Sequence, residues 1–381
     1  MTAMRIPFNR PCLAGPEADL MRDAIAGGHA SGDGPFTKRV HAILERETGA
    51  RRALLTTSCT HALEMCGLLL RLKPGDEVIV PSFTFVSTVN AFVLRGARPV
   101  FADVRPDTFN LDERLLEGLI TPRTKAIVVV HYAGVGCEMD EILAIAARHG
   151  VPVVEDNAHG LFARYRGRPL GSLGVLATQS FHETKNIQCG EGGALLVNDA
   201  SFVHRAEVLR EKGTNRSAFF RGEVDKYTWV DVGSSWLPSD LLAAFLLAQI
   251  EARATIQAKR RAVWERYDAG LRGWATEHGI AAPHVPAHCE QPWHMYYIVL
   301  PDLDTRQRLT AGLKARGVHA VFHYQPLHAS PMGIALGGRP GQCPVTEAGG
   351  DRLLRLPFWN DLPATEQDFV IESVRAVIEG R

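Results

Sequence analysis

The chain contains no C-x-x-C pair, although it has seven cysteines, at 12, 59, 66, 137, 189, 289 and 343. An odd and scattered set excludes a disulfide framework or a zinc ribbon and fits a reducing compartment. Neither sign of charge is in excess, since Lys plus Arg number 42 and Asp plus Glu also 42. No global basic field exists to attract nucleic acid or an anionic membrane, and neither is expected as a partner. No apolar run approaches the roughly 20 residues that span a bilayer. The opening "MTAMRIPFNRPCLAG" has no apolar signal core, which points to a cytoplasmic protein. No G-x-G-x-x-G follows a strand and no G-x-x-x-x-G-K-[ST] loop occurs, so a dinucleotide fold and a nucleotide-phosphate loop are both disfavoured. His131, His159 and His182 fall at predicted strand ends without an i, i+4 partner or a cysteine set, and no metal is expected.

What is present is the composition of an ordinary globular protein: 381 residues, 46% hydrophobic and 22% charged. That length favours two domains over one. From about 50 to 200, short apolar runs alternate with longer amphipathic ones. Candidate strands are "RALLT" (52–56), "EVIVP" (77–81), "RPVFAD" (98–103), "KAIVVVHY" (125–132), "VPVVED" (151–156), "ATQSF" (177–181) and "GALLVN" (193–198). Helices are predicted between them at 60–72, 84–95, 112–120 and 138–149. Strands apolar nearly throughout are buried on both faces, so the fold class is α/β with a largely parallel sheet covered by helices. Beyond it, 213–236 reads as a long loop and 238–274 as one helix. A strand "MYYIVLP" and helices near 305–316 and 364–379 complete the chain. The predicted division is a large domain over 1–250 with an N-terminal arm and a smaller C-terminal α+β domain over 251–381.

The carboxyl ends of the predicted strands, where ligands gather in such sheets, carry an unusual set of residues. After "RALLT" come Thr57, Ser58 and Thr60 at the mouth of a helix. They are hydroxyls that serve routinely as caps but also suit a phosphate. After "VPVVED" stand Asp156 and His159, and after "ATQSF" come Ser180 and Lys185 in "HETKN". Singly these read as a capping aspartate and a solvated lysine. Together they supply an amine for covalent attachment, a carboxylate to keep a pyridine nitrogen protonated, and a phosphate cup, which is what pyridoxal phosphate requires.

"VVEDNAH", "SFHETKN" and "GEGG", in this order and spacing, resemble the DegT/DnrJ/StrS family of sugar aminotransferases. The likeness runs from "IPFNRP" to "RLPFW". It implies the aspartate-aminotransferase type of fold (fold type I), with a mostly parallel seven-stranded sheet in the large domain. It also implies pyridoxal 5'-phosphate as cofactor, a homodimer, L-glutamate as amino donor and a nucleotide-linked keto-sugar as acceptor. By the same resemblance Lys185 is the covalent lysine and catalytic group, Asp156 the pyridine partner, and His159 the contact to the ring hydroxyl. Ser180, Thr60 and the Cys59 N–H form the phosphate cup, and Phe85 stacks on the ring. Ser235 stands where members commonly place an Asn that reaches the neighbouring subunit's phosphate, and Cys59 where many have glycine. Arg216 and Arg221 in the long loop are candidates for the sugar nucleotide's diphosphate, since guanidinium forks suit phosphate oxygens. Tyr324 and His328 of "HYQPLH" match a motif near the substrate mouth.

"EKGTNRSAFF" and "VDKYTW" narrow the resemblance to enzymes that aminate dTDP-4-dehydro-6-deoxyglucose at C4 to a 4-amino-4,6-dideoxygalactose. An acceptor with a 3-keto group or another base is the first alternative. Relatives that dehydrate sugars replace the lysine with histidine, and Lys185 argues against that chemistry. A cofactor-binding regulator without catalysis would need an effector or DNA-binding module, and no spare domain or basic helix is present.

Overall fold

A computed structural model describes residues 5–381, so the first four residues of the opening segment lie outside the described residues. Seven strands form the main sheet: β1 (Arg52–Thr56), β2 (Glu77–Pro81), β3 (Arg98–Ala102), β4 (Thr124–Val130), β5 (Val153–Asp156), β6 (Leu176–Ser180) and β7 (Gly193–Val197). Their spatial order is β1-β7-β6-β5-β4-β2-β3. The pairs among β6, β5, β4, β2 and β3 are parallel, whereas β7 runs antiparallel to both β1 and β6. The sheet is therefore mostly parallel, with one reversed strand beside the edge strand β1.

The continuous apolar runs follow from burial on both faces. In β4, Ala126 and Val128 enter the core beneath helices Cys59–Leu69 and Ser87–Val93. Ile127 and Val129 point the other way, toward helix Met139–His149. Period-two alternation assigns successive side chains to opposite layers. Helix Met139–His149 ends as its sequence requires, on Gly150 at φ 63° and ψ 28°.

Three predicted elements differ from what formed. The 238–274 stretch is two helices, Asp240–Glu251 and Arg253–Glu277, bent by 63° at Ala252. Predicted helix 112–120 is reduced to short turns at Glu113–Leu115 and Leu116–Leu119. The 213–236 segment contains a short helix, Arg216–Phe220. Among the described residues no single helix is long and apolar enough to cross a membrane.

A second core forms around helices Arg253–Glu277, Leu303–Ala315 and Ala364–Ile378 and a small sheet of Tyr297–Val299, Leu353–Arg355 and Val321–Phe322. The start of the chain is strapped onto it: Ile6 N–H donates to Gly317 O at 2.9 Å, and Phe358 N–H donates to Phe8 O at 2.9 Å.

Behind the site lies a buried polar knot. Glu155 accepts from the N–H groups of Gly171, Leu173 and Gly174 at 2.7–2.8 Å and from His131 Nε2 at 2.9 Å. Cys137 N–H donates to His131 Nδ1. Nδ1 must then be bare, the proton sits on Nε2, and the ring is a neutral donor to the carboxylate. These hydrogen bonds hold Glu155 below its ordinary pKa against burial, which raises it. Glu155→Gln keeps one acceptor oxygen but turns the other into an NH2 donor that faces two N–H groups, either those of Leu173 and Gly174 or those of Gly171 and His131, and should cost roughly 3–5 kcal/mol. Because the folded pKa is depressed, the contribution of Glu155 is present above the ordinary carboxylate range and lost as pH falls through its folded value. Chemical unfolding at neutral pH checks the loss, and a variant as stable as the parent would show the knot to be dispensable.

Candidate active site

Strands β1, β5 and β6 all point their carboxyl ends to one edge of the sheet, and the residues beyond them line a cavity of about 480 Å³. At the end of β1, Ser58 caps helix Cys59–Leu69 by accepting from His61 N–H at 3.2 Å. The first-turn N–H groups of that helix have no intrahelical acceptor, which makes an anion cradle. Gly193 on β7 makes this possible, since a Cβ there would stand 2.4 Å from Cys59 N. Thr60 Oγ1 donates to Ser87 Oγ at 2.8 Å, so a second helix mouth adjoins the cradle. Cys59 adopts no left-handed backbone, and its thiol lies 3.4 Å from Thr178 Oγ1. A cysteine is thus accommodated without the freedom of a glycine. Burial and the charge of Asp156 hold that thiol protonated.

Asp156 ends β5. Its Oδ2 accepts from Thr88 Oγ1 at 2.7 Å and its Oδ1 from Ala158 N–H at 3.2 Å. Thr88 Oγ1 in turn lies 2.8 Å from Thr84 Oγ1. Burial raises the pKa of Asp156, while the Thr88 hydroxyl, the Ala158 amide and Lys185 work the other way. Lys185 follows β6 and lines the same cavity. Its ammonium makes no hydrogen bond or ion pair with any described residue. Enclosure by protein lowers its pKa to about 8, although the nearby Asp156 favours the charged form. An amine in this state has a usable neutral fraction at physiological pH.

His159, Ser180, Phe85 and Tyr324 also line the cavity. Phe85 is 59% exposed, an aromatic face left open at the rim. Tyr324 is half-buried against Phe83 with ring centroids 5.5 Å apart and stacks on His323. The structure therefore brings together Lys185, Asp156, His159, Ser180, Thr60, Cys59, Phe85 and Tyr324.

Four expected residues are not among them. His328 is fully buried, with Nδ1 2.6 Å from Ser82 Oγ and Nε2 2.7 Å from Glu347 Oε1. The expectation that it meets substrate is corrected: the turn Leu327–Ala329 directs it inward, where it pins that loop to Ser82. Ser235 is exposed beside Glu211. Arg216 pairs with Glu211 and packs over Phe220, and Arg221 pairs with Glu207 and Glu223. Within one chain neither arginine reaches the cavity.

Other lining residues were missed by sequence reasoning. Arg355 sits on an apolar strand, with its guanidinium 4.5 Å from the Phe8 ring centroid. Its Nε is buried without a hydrogen-bond partner. Arg260 is buried and donates to Trp293 O, His294 O and Asn360 Oδ1. Neither arginine has a carboxylate partner among the described residues. A signal for Arg355 existed, since "LLRL" puts one cation in a run of leucines. None marked Thr88 or His294, whereas His323 opens the "HYQPLH" motif from which only Tyr324 and His328 were chosen.

These residues fit pyridoxal phosphate on the chemistry of the donor set: a free amine, a buried carboxylate, an open aromatic face and an anion cradle share one cavity. Comparison with known proteins agrees. Residues 11–375 match the DegT/DnrJ/EryC1/StrS aminotransferase family. The chain is 32% identical over 383 residues to the spore coat polysaccharide biosynthesis protein SpsC of Bacillus subtilis strain 168, covering 98% of this chain and 97% of that one. It superposes on the aminotransferase TlmJ of Streptoalloteichus hindustanus with a TM-score of 0.90 at 32% identity, covering 98% of this chain and 99% of that one. A putative sugar aminotransferase of Streptococcus pneumoniae, Spr1654, in its PLP form gives a TM-score of 0.90 at 27% identity, with 98% and 99% covered.

Proposed function

The chain belongs to the DegT/DnrJ/EryC1/StrS aminotransferase family and is a pyridoxal-phosphate-dependent sugar aminotransferase of fold type I, and from that premise we propose that it transfers the amino group of L-glutamate to the C4 ketone of a nucleotide-linked 4-keto-6-deoxy sugar. The reading of the acceptor as dTDP-4-dehydro-6-deoxyglucose rests on "EKGTNRSAFF" and "VDKYTW". The observation that carries the chemistry is Lys185, a walled-in amine with no protein partner, facing Asp156 across one cavity.

Bound there, pyridoxal phosphate supplies a protonated ring that accepts the electrons left when a C–H bond beside the amine breaks. Asp156 holds the positive ring nitrogen, and the helix mouth at Cys59 and Thr60 with Ser180 holds the phosphate. His159 meets the ring hydroxyl and Phe85 covers the ring face. Lys185 is the covalent anchor at rest. With the cofactor held there, the free amine of Lys185 would remove the amino donor's α-proton as a general base and return that proton as an acid. The same groups run the second half in reverse on the keto-sugar.

Glutamate as donor is supported by charge. Arg355 and Arg260 bring two guanidinium groups to the cavity without carboxylates of their own, and a dicarboxylate supplies what they lack. We propose a homodimer as well. Phe220, Tyr227 and Trp229 are 53–77% exposed in the segment that carries Arg216 and Arg221. A second copy covering that face would bring these arginines toward the partner's nucleotide.

The test is a panel. Purified holoprotein is incubated with glutamate, glutamine or alanine and with keto-sugar nucleotides that differ in base and ketone position, and the amino sugar is identified. The expected result is a 4-amino sugar formed with glutamate and poorly with the two monocarboxylates. A 3-amino product, or equal use of alanine, would sink the corresponding part of the reading.

A further inference from the structure

The cavity wall contributed by the second core carries His294, which no step above uses. Its side chain is 93% buried, being 7% exposed. Its Nδ1 lies 2.8 Å from Asn186 Oδ1, on the residue next to Lys185. Asn186 Nδ2 donates to Pro292 O at 2.6 Å. Proline has no N–H and its carbonyl can only accept, so this bond fixes the amide with Oδ1 toward His294. Nδ1 must then carry the proton, and Nε2 is a bare lone pair. Nε2 bonds no described residue and is not among the sealed, unpartnered atoms, so it opens into the cavity.

The ring cannot easily escape this role. It stacks on His159 with centroids 4.3 Å apart and planes 21° apart, which holds its orientation. Burial, with the cationic Lys185, Arg260 and Arg355 near by, opposes its protonation, so it stays an acceptor. Stacked rings do not hydrogen-bond, so the pair is no proton wire.

A fixed acceptor needs a donor. The carboxylates of an amino donor and an anionic phosphate have only lone pairs to offer and would be repelled. The donor's amino group would be engaged at the cofactor in place of Lys185. In the functional reading, on which this inference rests, the cofactor's ring hydroxyl is taken by His159, and of the remaining molecules the sugar brings hydroxyl hydrogens.

We infer that His294 is a specificity-determining residue that accepts a hydrogen bond from a hydroxyl of the acceptor sugar, with Asn186 as the positioning residue that sets its tautomer.

The two half-reactions are followed separately by the cofactor's absorbance in His294→Phe, which keeps a stacking ring without the lone pair, and in His294→Gln, which restores an acceptor. The expected result for His294→Phe is a roughly 10- to 100-fold weaker apparent affinity for the keto-sugar, with the glutamate step altered by less than about threefold. His294→Gln recovers most of the loss. Equal damage to both steps, or a keto-sugar affinity unchanged in both variants, overturns the inference. If His294→Phe does not fold, His294→Gln against a panel of deoxy-sugars decides: discrimination at one ring position in the parent and in His294→Gln supports the assignment, and none refutes it. A parent chain unresponsive to glutamate overturns the functional reading itself, a result distinct from these.

Discussion

Lys185→Ala is expected to lower turnover by roughly four orders of magnitude or more, to leave the cofactor able to bind without a covalent link, and to stabilise the cofactor-free chain. The first two outcomes follow from the proposed role, since among the described residues no other amine lines the cavity. The third follows from burial. With its pKa lowered to about 8 from 10.5, the charged side chain is less comfortable folded than unfolded. Below pH 8 both states hold the proton and the whole penalty is present. Between about 8 and 10.5 the folded chain releases the proton first and the penalty fades; above that it is gone. The full shift corresponds to about 3 kcal/mol, and the side chain's access to cavity water reduces this to roughly 1–3 kcal/mol. The gain should therefore be largest at neutral pH and vanish by about pH 10.5. At pH 7 about a tenth of the amine is already neutral, against a few parts in ten thousand for an ordinary lysine. The amine's reactivity and its cost to stability are thus one fact. Thermal melts of both cofactor-free proteins across pH, beside steady-state assays, check the pair of claims. Turnover near the parent's would remove Lys185 from the mechanism, and melting that is equal at pH 7 would remove the burial argument.

The sheet was legible because its signal is local. "TKAIVVV" and "EVIVP" are β-branched runs too short for helices and too apolar for one exposed face, so a two-sided burial was the reading they allowed. The reversal of β7 was not legible, since an antiparallel strand buried on both faces has the same composition as a parallel one. The break at Ala252 was hidden for a similar reason: "EARA" has good helix formers throughout, and the 63° bend is imposed by packing against two different cores. Among site residues, those at strand ends were found because the sheet's polarity gathers them at one edge. Arg260, His294 and Arg355 reach the cavity from the second core, more than 70 residues beyond Lys185 in sequence, and no spacing rule connects them to it. His328 shows the converse. It sits in a motif beside Tyr324, but a turn three residues long separates their directions, and only Tyr324 faces the cavity.

Asp156→Asn should lower turnover by roughly two to four orders of magnitude while leaving the fold nearly unchanged, and the geometry explains why the two effects separate. The asparagine oxygen still accepts from Ala158 N–H. Its NH2 group faces Thr88 Oγ1, which can turn its own proton to Thr84 Oγ1 and become the acceptor. No buried polar atom is stranded, and a carboxylate whose pKa burial had raised is replaced by a neutral amide. What is lost is the negative charge beside the proposed pyridine nitrogen. Without it the ring nitrogen gives up its proton near neutral pH, and carbanion formation loses its electron sink. Lys185 loses the same charge, so its pKa should fall below about 8 in the cofactor-free variant. Two readouts follow besides rate: a shifted pH dependence of the bound cofactor's absorbance, and a lower pKa for labelling of Lys185. An unfolded or aggregated Asp156→Asn would instead show the carboxylate to be structural. A folded variant with parental turnover and an unmoved spectrum would show that the ring nitrogen finds its partner elsewhere.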